Sequence, residues 1–134
     1  MMNEDTQRWL EGWLKQHHGV AGTVHRLVGD LLQIEAAVNI PPPVIQATAT
    51  IPRGKGMAGL AWERDQPVQT CNLQDPGKDV RPGAKAVGAG AAVAFPVHDG
   101  DGRLRAVVGI AFAEARELPG EEVARLQQTG GALP

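Results

Sequence analysis

The sequence contains one cysteine and no tyrosine, and its aromatic residues are limited to three tryptophans and two phenylalanines. A single cysteine, Cys71, excludes an internal disulfide and predicts a reducing compartment, which we interpret as the cytoplasm. So few aromatic side chains do not form the stacking platform of a single-strand nucleic-acid binder. No apolar run approaches twenty residues, so no membrane-spanning helix is expected, and the polar first residues show no signal-peptide pattern.

Neither positive nor negative charge predominates in the sequence. The formal net charge is -2 and both signs are interspersed, whereas nucleic acids and anionic membranes attract a basic surface. We therefore predict neither a nucleic-acid partner nor a membrane partner. No two His, Cys, Asp or Glu residues have metal-ligand spacing on one predicted element, so neither a metal nor a cofactor is expected. A length of 134 residues predicts one domain, residues 1–134.

Glycine is abundant, and three glycines are the organising feature of the chain. Gly54, Gly56 and Gly59 have G-x-G-x-x-G spacing, which is also found in dinucleotide-binding folds, with Asp75 as the candidate ribose-binding acid. The run after Gly59 reaches a turn within two helical turns, which is too short for the crossover helix of a βαβ unit. We interpret the glycines as a tight turn that bends a strand into a short helix.

The N-terminal region predicts an amphipathic helix over residues 5–18. Trp9 and Trp13 fall on one stripe with Leu10 and Leu14, and Gly19 suits the end of the helix. Tryptophans on such a stripe either pack into the core or form the centre of an interface between subunits. Both interpretations stay open at this point, and the second predicts a homodimer through the terminal helices.

The remaining pattern alternates strands, turns and one further helix. Gly29 and Asp30 predict a hairpin turn, and the apolar runs near the end predict central strands covered on both faces. Pro119 suits the first turn of a C-terminal helix. The predicted segments are strands at 20–28, 31–40, 68–71, 91–98 and 103–112, an extended segment at 44–51, a helix at 57–64, a long loop at 72–90 and a C-terminal helix ending by 129–131.

Two sequence blocks carry a family resemblance. The block IPRGKGMAGLAWERDQPVQTCNLQD and the later block AAVAFPVHDGDGRLRAVVGIAF, followed by LPGEEVARL, resemble a GAF domain. Pro67, Pro96 and Gly109 also fall where the family pattern places a proline or a glycine. The resemblance implies an α+β fold with a central antiparallel sheet of five to six strands. It further implies that the N- and C-terminal helices lie on one face and a loop-covered pocket on the other.

The same resemblance implies a function. GAF domains sense a small molecule and pass its state to an output domain or partner, so the chain is expected to be a non-enzymatic sensor without its own output domain. A separate signalling protein would then be its partner. The residues expected to wall the pocket and orient an unknown ligand are Trp62, Arg64, Asp75, Lys78, Arg81 and Lys85. The alternative is a core tryptophan followed by a solvated, charged loop.

The sequence is compatible with two other functions. A ligand-free module for homodimerisation or protein interaction would use Trp9 and Trp13. A cysteine-dependent redox enzyme would resemble the GAF-fold reductases of free methionine sulfoxide, which use several cysteines, whereas this chain has only Cys71. Because a lone thiol lacks a resolving partner, we interpret Cys71 as a small buried hydrophobic residue, and its reactivity stays open.

Overall fold

A computed structural model describes residues 2–70 and 90–134. Four helices and six strands occupy these ranges, and none of these helices is long and apolar enough to cross a bilayer. In chain order they are α1 (Glu4–His17), β1 (Ala21–Val28), β2 (Leu31–Val38), α2 (Pro42–Ala47), β3 (Thr50–Ile51), α3 (Gly56–Arg64), β4 (Val68–Thr70), β5 (Ala91–His98), β6 (Leu104–Phe112) and α4 (Gly120–Gly130).

The strands form one antiparallel sheet in the order β3-β2-β1-β6-β5-β4. This confirms the α+β class and the five to six strands that the sequence predicted. Strands β1 and β6 are central in this order, and β5 lies beside β6. Helices cover both faces of the sheet at these positions, which explains why β5 and β6 are apolar along nearly their whole length. Gly29 and Asp30 form the turn between β1 and β2, as predicted.

Helix α1 begins after Asn3, which is its N-cap. The side-chain oxygen of Asn3 accepts hydrogen bonds from the backbone N–H groups of Asp5 and Thr6 at 2.9 and 3.1 Å, which satisfies two donors that the first turn leaves free. The left-handed residue that ends the helix is His18, with φ 62°, and not Gly19 as predicted. A Cβ at Gly19 would lie 2.7 Å from Ile110 Cδ1, so a larger residue there would displace the Ile110 side chain.

The main core lies between the sheet and the two terminal helices, α1 and α4. Trp13 is only 3% exposed, and its ring centroid lies 5.8 Å from that of Phe95 in β5. Its indole N–H donates a hydrogen bond to Thr129 Oγ1 in α4 at 2.9 Å. The Trp13 side chain therefore packs in the core of the chain, between the sheet and α4. Trp9, half-buried, stacks on Trp13 with 5.4 Å between centroids.

Two predicted elements differ from the structure. Residues 44–51 were expected to be extended, but Pro42–Ala47 forms helix α2 and only Thr50–Ile51 pairs with β2. Prolines at the start of a helix have a suitable φ and no N–H that would need a partner, and this effect outweighs the strand preference of Val44 and Ile45. Pro119 is the N-cap of α4 and precedes its first turn.

Candidate ligand-binding site

A cavity of about 260 Å³ lies on the sheet face opposite α1 and α4, with α2 and α3 above it. Its described lining is almost wholly apolar, and it includes no Asp, Glu, Lys or Arg side chain. The lining residues are Ala21, Gly22, Thr23, His25, Ile40, Val44, Thr48, Ile51, Gly56, Met57, Ala58, Ala92, Val93, Ala94, Val107, Gly109, Ile110 and Ala111.

The space exists because this sheet face carries small residues. Gly109 of β6 is paired with Thr23 on one side and with Ala94 on the other, so three adjacent strands present little side-chain volume there. A Cβ at Gly109 would lie 3.1 Å from Thr23 Oγ1, so a larger residue would fill this part of the cavity. The glycine that the family pattern places in the late strand is thus explained by the volume it leaves open.

The predicted glycine turn forms one wall of the cavity. Gly54 and Gly56 have φ values of 84° and 68°, and α3 begins at Gly56. The backbone N–H of Gly54 donates to the Gly59 carbonyl at 2.8 Å, which holds residues 52–54 against the first turn of α3. Left-handed backbone at both positions favours glycine. The turn therefore directs Met57 and Ala58 toward the sheet, as the interpretation of a strand bent into a short helix predicted.

A β-bulge positions the segment after α2 over His25. Val24 pairs with Ala36, but His25 pairs with Ile34, so Glu35 is an extra residue in β2. The backbone N–H of Ile34 donates to the carbonyl of Ala49 at 2.8 Å, which brings residues 48 and 49 against the sheet. Bulges bend a strand locally and are frequent next to functional sites. Here the bend places the Thr48 carbonyl within hydrogen-bond reach of His25.

The described cavity wall has three polar residues that sequence reasoning missed, Thr23, His25 and Thr48, and His25 is the one that can titrate. Its side chain is 3% exposed, and its Nε2 lies 2.8 Å from the carbonyl oxygen of Thr48. Burial lowers the pKa of the His25 imidazole below its ordinary value, although the hydrogen bond to Thr48 acts in the opposite direction. The neutral ring is therefore favoured. In the sequence, His25 is one residue of an ordinary strand, and no local pattern distinguishes it from a surface histidine.

Of the six residues predicted to contact a ligand, two lie in the described part of the chain. Trp62 is half-buried and packs against the cluster of Leu32, Ala61, Ala94 and Val107, while Arg64 is exposed at the end of α3. Neither lines the cavity. Asp75, Lys78, Arg81 and Lys85 lie outside the described residues, as does Cys71, so their contact with a ligand stays a prediction.

Metal binding finds no support in the two described ranges, 2–70 and 90–134, because no three His, Cys, Asp or Glu side chains there come together in a way that could hold an ion. Three of the histidines contact separate partners, and His17 lies 2.9 Å from Thr129 Oγ1. His25 contacts the Thr48 carbonyl, and Nε2 of His98 lies 2.5 Å from Asp65 Oδ1 at the surface. The polar residues of the described cavity lining are Thr23, His25 and Thr48.

Comparison with known proteins identifies the fold. The family model described as a GAF domain matches residues 10–133 of this chain, while no curated protein matches significantly. The GAF domain of a two-component sensor histidine kinase from Bacillus halodurans is 14% identical, with a TM-score of 0.71 over 99% of this chain and 92% of that chain.

Two other solved structures show that this fold occurs in proteins of different function. The type II free methionine-R-sulfoxide reductase from Thermoplasma acidophilum is 16% identical, with a TM-score of 0.72 over 92% of this chain and 82% of that chain. The nlh2 GAF domain from A. aeolicus, solved in an inactive state, is 16% identical, with a TM-score of 0.67 over 94% of this chain and 75% of that chain. At these identities the likeness establishes the fold alone.

Proposed function

The chain belongs to the GAF domain family, and from this premise we propose that it is a sensory domain that binds a small molecule in the cavity and transmits its presence in signal transduction. The observation that carries the proposal is the apolar cavity of about 260 Å³ between the sheet and helices α2 and α3. Ligand pockets are typically concave and mainly apolar, with a few polar groups that orient the ligand. The cavity has this composition.

A change of state on binding is supported by the construction of the cavity wall. Helix α2 has six residues and buries none of them fully, and short elements with few buried contacts are among the first parts of a fold to move. A ligand that contacts Val44 and Thr48 would favour the conformation in which α2 lies against the sheet. Such a ligand shifts an existing equilibrium by its difference in affinity for the two conformations.

We expect at least one member of a panel of neutral one- and two-ring molecules, including indole and phenol, to raise the melting temperature. A ligand at ten times its Kd adds about 1.4 kcal/mol to the free energy of unfolding, which differential scanning calorimetry resolves as a shift of a few degrees. The variant Ala58→Leu should abolish this shift, since the larger side chain enters the cavity from α3.

The matched control is Arg64→Ala, on the same helix but outside the cavity lining. It is expected to keep the wild-type shift, whereas loss of the shift in this variant would support the sequence-based prediction that Arg64 orients the ligand. If no member of the panel stabilises the wild-type protein, the assignment of the cavity as a ligand site is contradicted.

A catalytic role is the competing function, since free methionine-R-sulfoxide reductases have the same fold. We propose that this chain is not an enzyme, because its single cysteine provides no second thiol to resolve an oxidised intermediate. The variant Cys71→Ser should leave the melting shifts unchanged, and neither it nor the wild type should reduce free methionine sulfoxide with a dithiol reductant. Activity in the wild type that Cys71→Ser removes would overturn this proposal.

The remaining parts of the prediction continue as proposals. They are a cytoplasmic location, a separate signalling partner and a homodimer through the terminal helices. For the homodimer, Trp9 is the predicted interface residue that retains exposed surface, because Trp13 is buried among Phe95, His17 and Trp9 within the chain. A contact through α1 would therefore have to be formed around Trp9.

A further inference from the structure

His25 has a hydrogen-bonding nitrogen that the described chain leaves unused. Its Nδ1 is buried and has no partner, and it is the one side-chain nitrogen or oxygen in the described ranges with this property. Burying a polar atom without a partner costs about 1–3 kcal/mol, so each such atom in a folded protein requires an explanation. The same ring lines the cavity, and this position suggests where a partner would come from.

The hydrogen bond made by Nε2 determines whether Nδ1 is a donor or an acceptor. The Thr48 carbonyl oxygen, 2.8 Å from Nε2, can only accept a hydrogen bond, so Nε2 carries the proton. Because burial favours the neutral ring, Nδ1 is left with a lone pair and acts as an acceptor. A group that satisfies it must therefore donate an N–H or O–H.

The rest of the wall restricts the molecule that brings this donor. Thr23 lies two residues before His25 on the same strand face, about 7 Å along β1, and it also lines the cavity. The described lining provides no charged side chain, and an unpaired charge is costly to bury. An apolar cavity of about 150 Å³ is large enough for benzene, so about 260 Å³ accommodates one or two rings.

On the basis of the proposed sensory function, we infer that the cavity binds a neutral, mainly apolar molecule of one or two rings that donates a hydrogen bond to His25 Nδ1. Nδ1 is covered, so a small shift of the ring or its surroundings accompanies binding. Because Nε2 holds the residue that follows α2, the donor polarises a continuous chain of hydrogen bonds from ligand to His25 to Thr48. Occupancy of the cavity is thereby linked to the position of α2.

The test compares molecules that differ only in the donor. Indole and indene have nearly the same shape, but only indole donates an N–H, and phenol and toluene form a second such pair. For the wild-type protein, isothermal titration calorimetry should show about tenfold tighter binding of each donor, as expected for one hydrogen bond to a buried acceptor. The ¹⁵N resonance of His25 Nδ1 should shift with indole and stay unchanged with indene.

The possible results distinguish the role of His25 from the proposed sensory function. Equal affinity within a pair, with an unshifted Nδ1 resonance, would overturn the role of His25, for example if a buried water is its partner, and would leave the sensory function intact. Binding of neither member of either pair would contradict the proposed function itself, and this inference with it.

A variant removes the acceptor and keeps a planar ring. In His25→Phe the side chain has no nitrogen, so nothing at the position of Nδ1 can accept a hydrogen bond. The preference for indole over indene should fall to less than twofold, while the affinity for indene stays within twofold of the wild-type value. The control is His98→Phe, which changes a histidine outside the cavity lining and should keep the tenfold preference. If His25→Phe keeps that preference, or does not fold while the wild type shows none, the inference is wrong.

Discussion

Replacing Trp13 with alanine is expected to lower the free energy of unfolding by about 3–5 kcal/mol, the usual cost of deleting a buried tryptophan side chain. The ring is 3% exposed, packs on Phe95 and Trp9, and donates to Thr129 Oγ1, so its removal leaves a void at the junction of α1, α4 and the sheet. Native domains are stable by about 5–15 kcal/mol. Urea denaturation monitored by circular dichroism measures the loss.

Trp9→Ala is the matched control, because Trp9 lies one turn earlier on α1 and is only half-buried. We expect it to cost about 1–2 kcal/mol, which includes the stacking of the two indoles. Light scattering on both variants tests the sequence-based homodimer. A wild-type dimer that Trp13→Ala converts to a monomer with unchanged stability would mean that Trp13 acts between subunits, and the core role described above would be wrong.

Gly59→Ala is expected to lower the free energy of unfolding by about 2–3 kcal/mol, although alanine is the best helix former and Gly59 lies in a helix. A Cβ at this position would lie 2.7 Å from the Pro52 carbonyl oxygen and 3.1 Å from the Gly54 nitrogen. These are backbone atoms, so the contact is relieved only if the turn moves away from α3. The change should also weaken ligand binding, since this turn sets the position of Met57 and Ala58.

Gly12→Ala is the same chemical change as Gly59→Ala, but we expect it to raise the free energy of unfolding. Gly12 lies within α1, and a Cβ there would meet no atom within 4 Å, so alanine should stabilise the protein by about 0.5–1 kcal/mol through its helix propensity. Thermal denaturation of the pair should show shifts of opposite sign. A neutral or stabilising Gly59→Ala would contradict the close approach of residues 52–54 to α3.

The sequence predicted the parts of this fold that depend on local periodicity and turn chemistry. The stripe of Trp9 and Trp13 indicated α1, the pair Gly29–Asp30 indicated the first hairpin, and the glycines after Pro52 indicated the turn into α3. Each signal is contained in a few consecutive residues, because the backbone preferences of glycine and the period of a helix act over that range. The prediction that residues 44–51 are extended was wrong. There the strand preference of the β-branched residues competed with the prolines Pro42 and Pro43, which favour the start of a helix.

The candidate site was less predictable, because its residues are far apart in the chain. The predicted ligand-binding residues, one tryptophan and five charged residues, lie close together in sequence, yet the two that the structure describes, Trp62 and Arg64, lie outside the cavity lining. The residues that do line it come from six elements and their connections, and most are alanine, glycine or valine. Residues of these types indicate a cavity only once the fold shows that they face the same space.

The sequence by itself therefore determined the helices at the two ends, the glycine turn and, through the resemblance of two long blocks, membership of the family. Only the tertiary structure placed Trp13 in the core of the chain and His25 at the cavity. The physical reason is that burial and hydrogen bonding depend on the registers β1–β6 and β1–β2, and the bulge at Glu35 that brings Thr48 over His25 changes one of those registers. A strand sequence specifies which residues alternate between faces but not what will cover each face.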